Sequence, residues 1–149
     1  MNKQEINTIN QAISILENNL KKEKGLALES PETVVNFLRL ELEREEREVF
    51  IVMFLDVQNR LIESDKMFLG TINKAEIHIR EIAKKALSVN AFSVLLAHNH
   101  PSGDSTPSQS DLMITKKIQQ ALELFEIKML DHIIIGKGET TSFLRDGII

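Results

Sequence analysis

The sequence predicts an α/β fold in which helices pack on a central sheet. Three features predict it: two β-prone segments, 49–55 and 61–68, a helical period over 79–87, and a short continuous apolar run, Ala91–Ala97. An apolar run of this length is typical of a strand buried on both faces. Two strands, a helix and a buried strand in this order indicate a layered domain.

The N-terminal segment, 1–29, is interpreted as an amphipathic helical extension that ends before Gly25. It is either an appendage or a dimer face. A main domain over 30–149 is predicted to begin with a second helix, because Ser30 and Pro31 are typical of an N-cap and first helical position. The apolar residues of the first helix recur at spacings of three and four: Ile6, Ile9, Ile13, Leu16 and Leu20.

The remaining segments complete the predicted order of elements. The charged run Glu41–Glu48 is interpreted as a solvated face. A turn rich in polar residues separates the two β-prone segments. A polar loop, 98–107, joins the buried strand to a helix over Leu112–Phe125. Another buried strand, 129–135, a tight turn and a last strand, 140–144, then follow.

Composition narrows the possible functions. A length of 149 residues with 42% hydrophobic content is typical of one soluble globular domain. With 18 basic and 22 acidic residues, the net charge of −4 creates no overall positive field for nucleic acid or anionic lipid. The absence of Cys excludes disulfides and thiolate metal sites. Without a signal-peptide pattern or a bilayer-length apolar run, a cytoplasmic protein with no membrane attachment is expected.

Two histidines at the end of the predicted buried strand point to a metal site. In an extended segment, residues two apart leave the same face, so His98 and His100 can converge on one ion. Asp111, at the start of the next helix, can return as a carboxylate ligand. Two His and one carboxylate are typical of a zinc site with an open fourth position, where a water molecule becomes acidic, with a pKa of about 7.

Each part of this pattern also has a purely structural interpretation. Ser108 and Asp111 fit the capping-box pattern S-x-x-[DE], in which Ser108 caps a helix and Asp111 bonds back to it. Taken alone, a cap is commoner than a metal ligand, and an H-x-H pair is a weak signal. The combination of all four residues with the intervening loop is much more specific.

These residues resemble a known family. The segment AHNHPSGDSTPSQSD, 97–111, contains H-x-H, seven residues and S-x-x-D, the metal-binding motif of the JAB1/MPN/Mov34 (JAMM, MPN+) metalloenzymes. Within that superfamily the chain resembles the RadC family of bacteria. The similarity extends from about Ser30 to the C-terminus and includes FLGTIN (68–73), REIAKKAL (80–87) and LDHIIIG (130–136).

The resemblance implies a JAB/MPN fold, which is a curved mixed β-sheet flanked by helices with a cytidine-deaminase-like layout. It also implies a zinc-dependent peptidase or isopeptidase (a metalloprotease). Carried over by motif position, His98, His100 and Asp111 would bind Zn²⁺, and Ser108 would donate a hydrogen bond to the oxyanion. The deaminase reaction is disfavoured, because its zinc site requires cysteines that this chain lacks.

A JAMM hydrolase also uses a glutamate on an earlier strand as general base. Glu48 is the candidate, since it precedes the strand 49–55 and lies about fifty residues before the His pair, where the superfamily places its glutamate. Alternatively, Glu48 is one more solvated charge at the end of an acidic run. The sequence departs from the peptidase pattern here, because residues 50–56 replace the glycines that usually follow, which puts activity in more doubt than metal binding.

Four other polar residues near the motif are given structural roles. His78 is interpreted as a surface or capping histidine. Asp131 and His132 could form hydrogen bonds to a metal ligand, but a structural role is favoured. Asp104 is explained by turn chemistry in the loop.

Three functions follow from these observations. The first is a zinc metallohydrolase acting on a peptide or protein. The second is a DNA-repair or mobile-element-associated protein, since RadC has traditionally been labelled a repair family. Longer members carry a helix-hairpin-helix region that residues 1–29 do not match, so direct nucleic-acid binding is doubtful. The third is a non-catalytic interaction module, against which the complete ligand set argues. A homodimer is possible.

Overall fold

The computed structural model describes residues 1–25, 31–70 and 78–149. Within these ranges five strands form one mixed sheet in the order β2-β1-β3-β4-β5, flanked by four helices. Strands β3 and β4 are parallel, and the other neighbours are antiparallel. The predicted α/β class with a mixed sheet is therefore confirmed. The elements are α1 (Lys3–Lys22), α2 (Pro31–Leu42), β1 (Glu48–Leu55), β2 (Leu61–Gly70), α3 (Ile79–Ser88), β3 (Ser93–Asn99), α4 (Gln109–Glu123), β4 (Lys128–Ile135) and β5 (Thr140–Ser142).

The predicted turn between β1 and β2 is closed by one carboxylate. Oδ1 of Asp56 accepts hydrogen bonds from the backbone N–H groups of Gln58 and Arg60, both at 2.9 Å. Asn59 takes the left-handed backbone conformation, with φ of 58°, which Asn tolerates better than most residues. The hairpin is confirmed.

Alternation along the central strands divides the core between the two faces of the sheet. On one face, strand residues pack against helices α1 and α2, and on the other they pack against α3 and α4. The first cluster includes Val49, Ile51, Met53, Leu95, Ala97, Ile133, Phe37 and Leu38. The second includes Phe50, Val52, Phe54, Val94, Leu96, Ile82, Ile114 and Ile118.

Helix α1 packs against the main sheet layer. Its residues Ile13 and Leu20 are buried in the cluster that includes Val34 of α2. Its N-terminus has a capping box, in which Asn2 accepts from the N–H of Glu5 at 2.8 Å. The predicted helix is confirmed, and burying Leu20 gives it a core contact that an isolated helix would lack. The predicted cap Ser30, and residues 71–73 of the FLGTIN segment, lie outside the described residues.

The buried strand begins and ends two residues later than predicted. Asn90 has a φ of 56°, and the N–H of Ala91 still bonds to Ala86 of the preceding helix, so these residues form the helix end. At the other end, His98 and Asn99 pair with Ile134 and Ile135 of β4. The strand is thus Ser93–Asn99 instead of Ala91–Ala97, and His98 belongs to it.

The last strand is shorter than predicted, because a turn follows Ser142. Oδ1 of Asp131 accepts a hydrogen bond from the N–H of Leu144 at 3.0 Å, and the N–H of Asp146 bonds to the carbonyl of Ser142. These bonds turn the chain, so Leu144 lies outside β5.

Among the described residues, none of the helices is both long and apolar enough to cross a lipid bilayer.

Candidate metal centre

Three predicted ligands meet where β3 ends and α4 begins. Nε2 of His98 lies 3.0 Å from Nε2 of His100. The carboxylate of Asp111 faces both rings, with Oδ1 3.2 Å from His98 Nε2 and Oδ2 3.1 Å from His100 Nε2. The side chains of His98 and Asp111 are fully buried, whereas that of His100 is 14% exposed. The centre is thus reached from solvent on the His100 side.

Local structure brings these side chains together. His98 lies in β3, which pairs with β1 on one side and with β4 on the other. Its ring projects from the face of the sheet that packs against α4. His100 lies two residues on, and its N–H bonds to the carbonyl of Ile135 at 2.9 Å, which extends the strand pairing. The chain then turns at Gly103, with φ of 95°, a conformation that glycine adopts without strain.

The capping box and the convergence on the histidines coexist. The N–H of Ser108 donates to Oδ2 of Asp111 at 2.9 Å, and the N–H of Asp111 donates to Oγ of Ser108 at 3.0 Å. The same Asp111 oxygen faces His100. The two interpretations that the sequence left open are therefore not exclusive, because the cap fixes the carboxylate in the orientation that the centre needs.

The carbonyl of Asp104 decides the tautomer of His100. Nδ1 of His100 lies 2.8 Å from that oxygen. A carbonyl can only accept, so Nδ1 carries the proton and Nε2 of the neutral ring presents a lone pair. His100 is therefore oriented with its ligand atom toward His98 and Asp111.

A longer chain of hydrogen bonds decides the tautomer of His98. Thr115 donates its hydroxyl proton to the carbonyl of Asp111 at 2.6 Å, so the hydroxyl oxygen accepts from Nδ1–H of His132, also at 2.6 Å. Nε2 of neutral His132 then accepts from Nδ1–H of His98 at 2.8 Å. As a result, Nε2 of His98 also presents a lone pair to the centre.

Aromatic packing holds this chain in place. The rings of Phe50 and His98 are stacked with centroids 5.9 Å apart, and those of His132 and Phe143 are stacked at 4.8 Å. All four residues are fully buried. Rotation of either histidine would require a neighbouring ring to move.

The resulting set of atoms can hold either a proton or a metal cation. When both rings are neutral, two ring nitrogens with lone pairs and two carboxylate oxygens meet at separations of 3.0 to 3.2 Å. Ligand atoms bound about 2.0 Å from a tetrahedral zinc ion lie roughly 3.3 Å apart. Nitrogen and carboxylate oxygen are also the donors that zinc takes in catalytic sites. The residues therefore fit a zinc ion.

Electrostatics agree with a cation site. When His100 is protonated, its Nε2–H donates to Asp111, and this hydrogen bond raises the pKa of His100 above its usual value, against the lowering effect of burial. Burial alone raises the pKa of Asp111, but the hydrogen bonds that protonated His100 and His98 donate outweigh it and hold that pKa well below the usual range. Asp111 is thus ionised at neutral pH, which supplies negative charge where a metal ion would bind.

Glu48 lies at this centre. It is the first residue of β1, and since Phe50 pairs with His98, the same antiparallel register places Glu48 opposite His100. A carboxylate oxygen of Glu48 and one ring nitrogen each of His98 and His100 lie within 4.8 Å of one another. Glu48 is partly buried, but so are Glu41, Glu43 and Glu45, so its proximity to the histidines is what distinguishes it from the rest of the acidic run.

The hydroxyl of Ser108 remains able to donate. Its oxygen accepts the N–H of Asp111, but this uses only a lone pair, and Ser108 is exposed. The capping box therefore does not use the proton of this hydroxyl.

The other polar residues of the region have distinct positions. His132 contacts a predicted ligand, although the sequence favoured a structural role. Asp131 is structural, because its carboxylate binds Ser142 and the N–H of Leu144. His78 is exposed at the start of α3. Thr115 was missed, yet its spacing of four from Asp111 on one helix face was a usable signal.

A mixed sheet flanked by helices, with a His-His-Asp centre at a strand end, defines a JAB/MPN-type domain with a possible metal site. The chain belongs to the RadC-like JAB domain family, whose sequence profile matches residues 28–148. The predicted family is thus confirmed.

The chain is similar to several bacterial proteins known as UPF0758 proteins. It is 51% identical over 142 residues to one from Haemophilus influenzae strain PittEE, covering 93% of this chain and 64% of that protein. It is 56% identical over 120 residues to one from Histophilus somni strain 2336, covering 80% and 54%. A protein of Actinobacillus pleuropneumoniae serotype 5b is 54% identical over 116 residues, with coverage of 78% and 53%. The chain thus spans about half to two thirds of these relatives.

Proposed function

We propose that this protein is a zinc-dependent hydrolase that cleaves a peptide or isopeptide bond. The observation that carries the proposal is the convergence of two imidazole lone pairs and an ionised, fully buried carboxylate at 3.0 to 3.2 Å. Imidazole nitrogen and carboxylate oxygen atoms are the donors that zinc takes in catalytic sites. His98, His100 and Asp111 would hold the zinc ion.

When bound, zinc would polarise the scissile carbonyl and make a water molecule acidic, with a pKa of about 7. Glu48, with a carboxylate oxygen within 4.8 Å of one ring nitrogen of each histidine, would take a proton from the attacking water and deliver it to the leaving amine. Ser108, whose hydroxyl proton the capping box does not use, would donate it to the oxyanion. The 14% exposure of His100 leaves the centre open on the side where a substrate would enter.

Metal content and hydrolysis test the proposal together. Protein prepared without chelator is expected to contain about one zinc per chain. Zinc-loaded protein is expected to cleave members of a fluorogenic peptide and isopeptide library. Glu48→Gln should abolish cleavage while zinc stays bound, because the amide cannot take up the proton.

Two results would contradict parts of the proposal. Protein free of zinc would favour a non-catalytic interaction module. Loss of zinc in Glu48→Gln would make Glu48 a ligand in place of a base. Lys84→Gln, on helix α3 and away from the centre, is the matched control for the loss of a side-chain charge. It should change neither the zinc content nor the rate of cleavage.

The proposed partner is a peptide or protein substrate in the cytoplasm. Direct nucleic-acid binding is not part of the proposal, because the net charge is −4. A homodimer through helix α1 stays a prediction. Ile15, which is 60% exposed, is an apolar position on this helix that a second copy could cover. Light scattering of wild type and Ile15→Glu tests it, since a dimer of this kind should dissociate in the variant.

A further inference from the structure

Asn99, between the two histidines of the H-x-H motif, makes three hydrogen bonds that tie two parts of the centre together. Its side chain is buried, with the residue 2% exposed. Its Oδ1 accepts from the N–H of Val49 at 2.7 Å. Its Nδ2 donates to the carbonyl of Arg47 at 2.9 Å and to that of Glu45 at 3.3 Å.

These bonds bracket Glu48 on both sides. Arg47 and Val49 are its chain neighbours, and each is held by one end of the same amide. Backbone pairing between β1 and β3 extends to Phe50 and His98, so the side chain of Asn99 provides the connection to β3 beyond that pair. The side chain of Asn99 therefore ties both chain neighbours of Glu48 to the residue between the two histidines.

We propose that Asn99 is a positioning residue that fixes Glu48 relative to His98 and His100. This inference rests on the proposed function, in which Glu48 acts as a base. Because Asn99 belongs to the same tripeptide as both histidines, any movement of that tripeptide moves the ligands and the glutamate together. Side chains alternate along a strand, so the amide reaches residues 45–49 while the imidazoles face the centre.

The chemistry of the contact explains why an amide occupies this position. One acceptor and two donors are used, and Asn supplies both kinds from a short side chain. Asp would lack the donors, Leu would lack all three bonds, and Gln would be one methylene too long for the same reach.

A merely structural role makes different predictions. If Asn99 only stabilised the fold, its replacement would lower the melting temperature and leave the chemistry at the centre unchanged. If it positions Glu48, the reactivity of the metal site should change while metal remains bound. Misplacement of a catalytic group by about 1 Å can reduce the rate about 100-fold.

The test uses Co²⁺ in place of zinc and follows the visible spectrum of the full chain against pH. The midpoint of the spectral change reports ionisation of solvent at the metal, to which Glu48 contributes. Wild type is compared with Glu48→Gln, Asn99→Leu, Asn99→Ser and the double variant Glu48→Gln/Asn99→Leu. Asp56→Ala is the matched control, because it removes a side-chain tie to the backbone at the opposite end of β1.

The expected result is one Co²⁺ per chain in every variant. Glu48→Gln should shift the midpoint, and Asn99→Leu should shift it in the same direction. The double variant should shift no further than Glu48→Gln, since coupled residues give non-additive effects. Asp56→Ala should leave the midpoint unchanged. With a cleavable peptide, Asn99→Leu should also lower kcat/KM by about 10- to 100-fold.

Asn99→Ser, a smaller polar replacement, gives the same readout should Asn99→Leu fail to fold. A wild-type midpoint in the Asn99 variants, with only the melting temperature lowered, would overturn the inference. So would a Glu48→Gln variant with no shift, because Asn99 would then have no base to position. Expected midpoints in a protein that cleaves no peptide would retain the positioning role and reject the peptidase proposal.

Discussion

The orientation of the two histidine rings depends on residues that do not face the central position. For His100 it is the carbonyl of Asp104, and for His98 it is a relay through His132 to the hydroxyl of Thr115. Partners of this kind fix the tautomer of a metal ligand and typically change affinity 10- to 100-fold. Thr115 is at the far end of this relay, so replacing it tests whether the relay fixes the tautomer of His98.

We expect Thr115→Val to weaken zinc binding by about 10-fold or more. Valine keeps the shape of threonine but leaves Nδ1 of His132 buried without its acceptor, so the tautomers of His132 and His98 are no longer fixed. Zinc competition with a chromogenic chelator measures the affinity, and ¹⁵N shifts of the imidazoles report the tautomers. Thr8→Val is the control, since Thr8 makes the same bond to a carbonyl four residues back on α1. Unchanged tautomers would argue against the relay.

Zinc affinity should fall as the pH is lowered. Because the bond to Asp111 raises the pKa of His100 above 6.5, protons compete for its Nε2 below that raised value. The carboxylate of Asp111 has a lowered pKa and does not compete in this range. Below the raised pKa of His100, affinity should drop about tenfold per pH unit for each proton displaced. Calorimetry from pH 8 to 5 measures this, and a flat profile would exclude His100 as a ligand.

At the scale of elements, the loop from β3 to α4 carries His100 on one side and Asp111 on the other, and it rests on the end of β4. The N–H of Lys137 donates to the carbonyl of Gly103 at 2.9 Å, next to Gly136. A Cβ built on Gly136 would lie 2.3 Å from that carbonyl oxygen. The last residue of the LDHIIIG segment is thus a glycine because the loop occupies the space of a side chain.

Gly136→Ala should therefore displace the loop. We expect a loss of about 1 to 3 kcal/mol in unfolding free energy, from overpacking, together with weaker zinc binding. Gly138→Ala is the control. Its position has φ of 72° and open space around a Cβ, so it should cost about 1 to 2 kcal/mol from backbone strain but leave zinc affinity unchanged. Denaturant unfolding and zinc competition separate the two effects. Equal affinities in both variants would contradict the role of the loop contact.

At the scale of the whole molecule, the centre connects the sheet, the β3–α4 loop and helix α4. Its candidate ligands come from β3, the loop after it and α4, and its relay reaches β4 through His132. A cation bound there would therefore stabilise the native state as a unit. The unfolded chain has no such preformed site.

Zinc should raise the melting temperature of metal-free protein. At 100 times Kd the stabilisation is about 2.7 kcal/mol, which corresponds to roughly 5 to 10 °C for a chain of this size. Asp111→Asn should lose most of the shift, because the negative charge at the centre is removed. His78→Ala, at an exposed histidine outside the centre, should keep it. Calorimetry with and without chelator measures the difference, and an equal shift in Asp111→Asn would place the zinc elsewhere.

Local patterns in the sequence were sufficient for the class of fold and for the candidate ligands. Apolar periodicity predicted the helices and the hairpin, because burial imposes a period of about 3.6 or 2 on the residues themselves. The residues His98, His100, Ser108 and Asp111 lie within one strand end, one loop and one helix start, so their spacing was enough to predict that they lie close together. The predicted end of β3 was two residues too early, because pairing with β4 decides where this strand stops.

Only the tertiary structure decided which distant groups support the centre. Asn99 reaches residues about fifty positions away, and His132 contacts His98 across 34 positions. Such contacts depend on strand order and register, which no local pattern encodes. The structure also showed that the helix cap and the approach to the histidines are compatible at Asp111, because one carboxylate has enough oxygen lone pairs to accept from the helix N-terminus and to face both imidazoles.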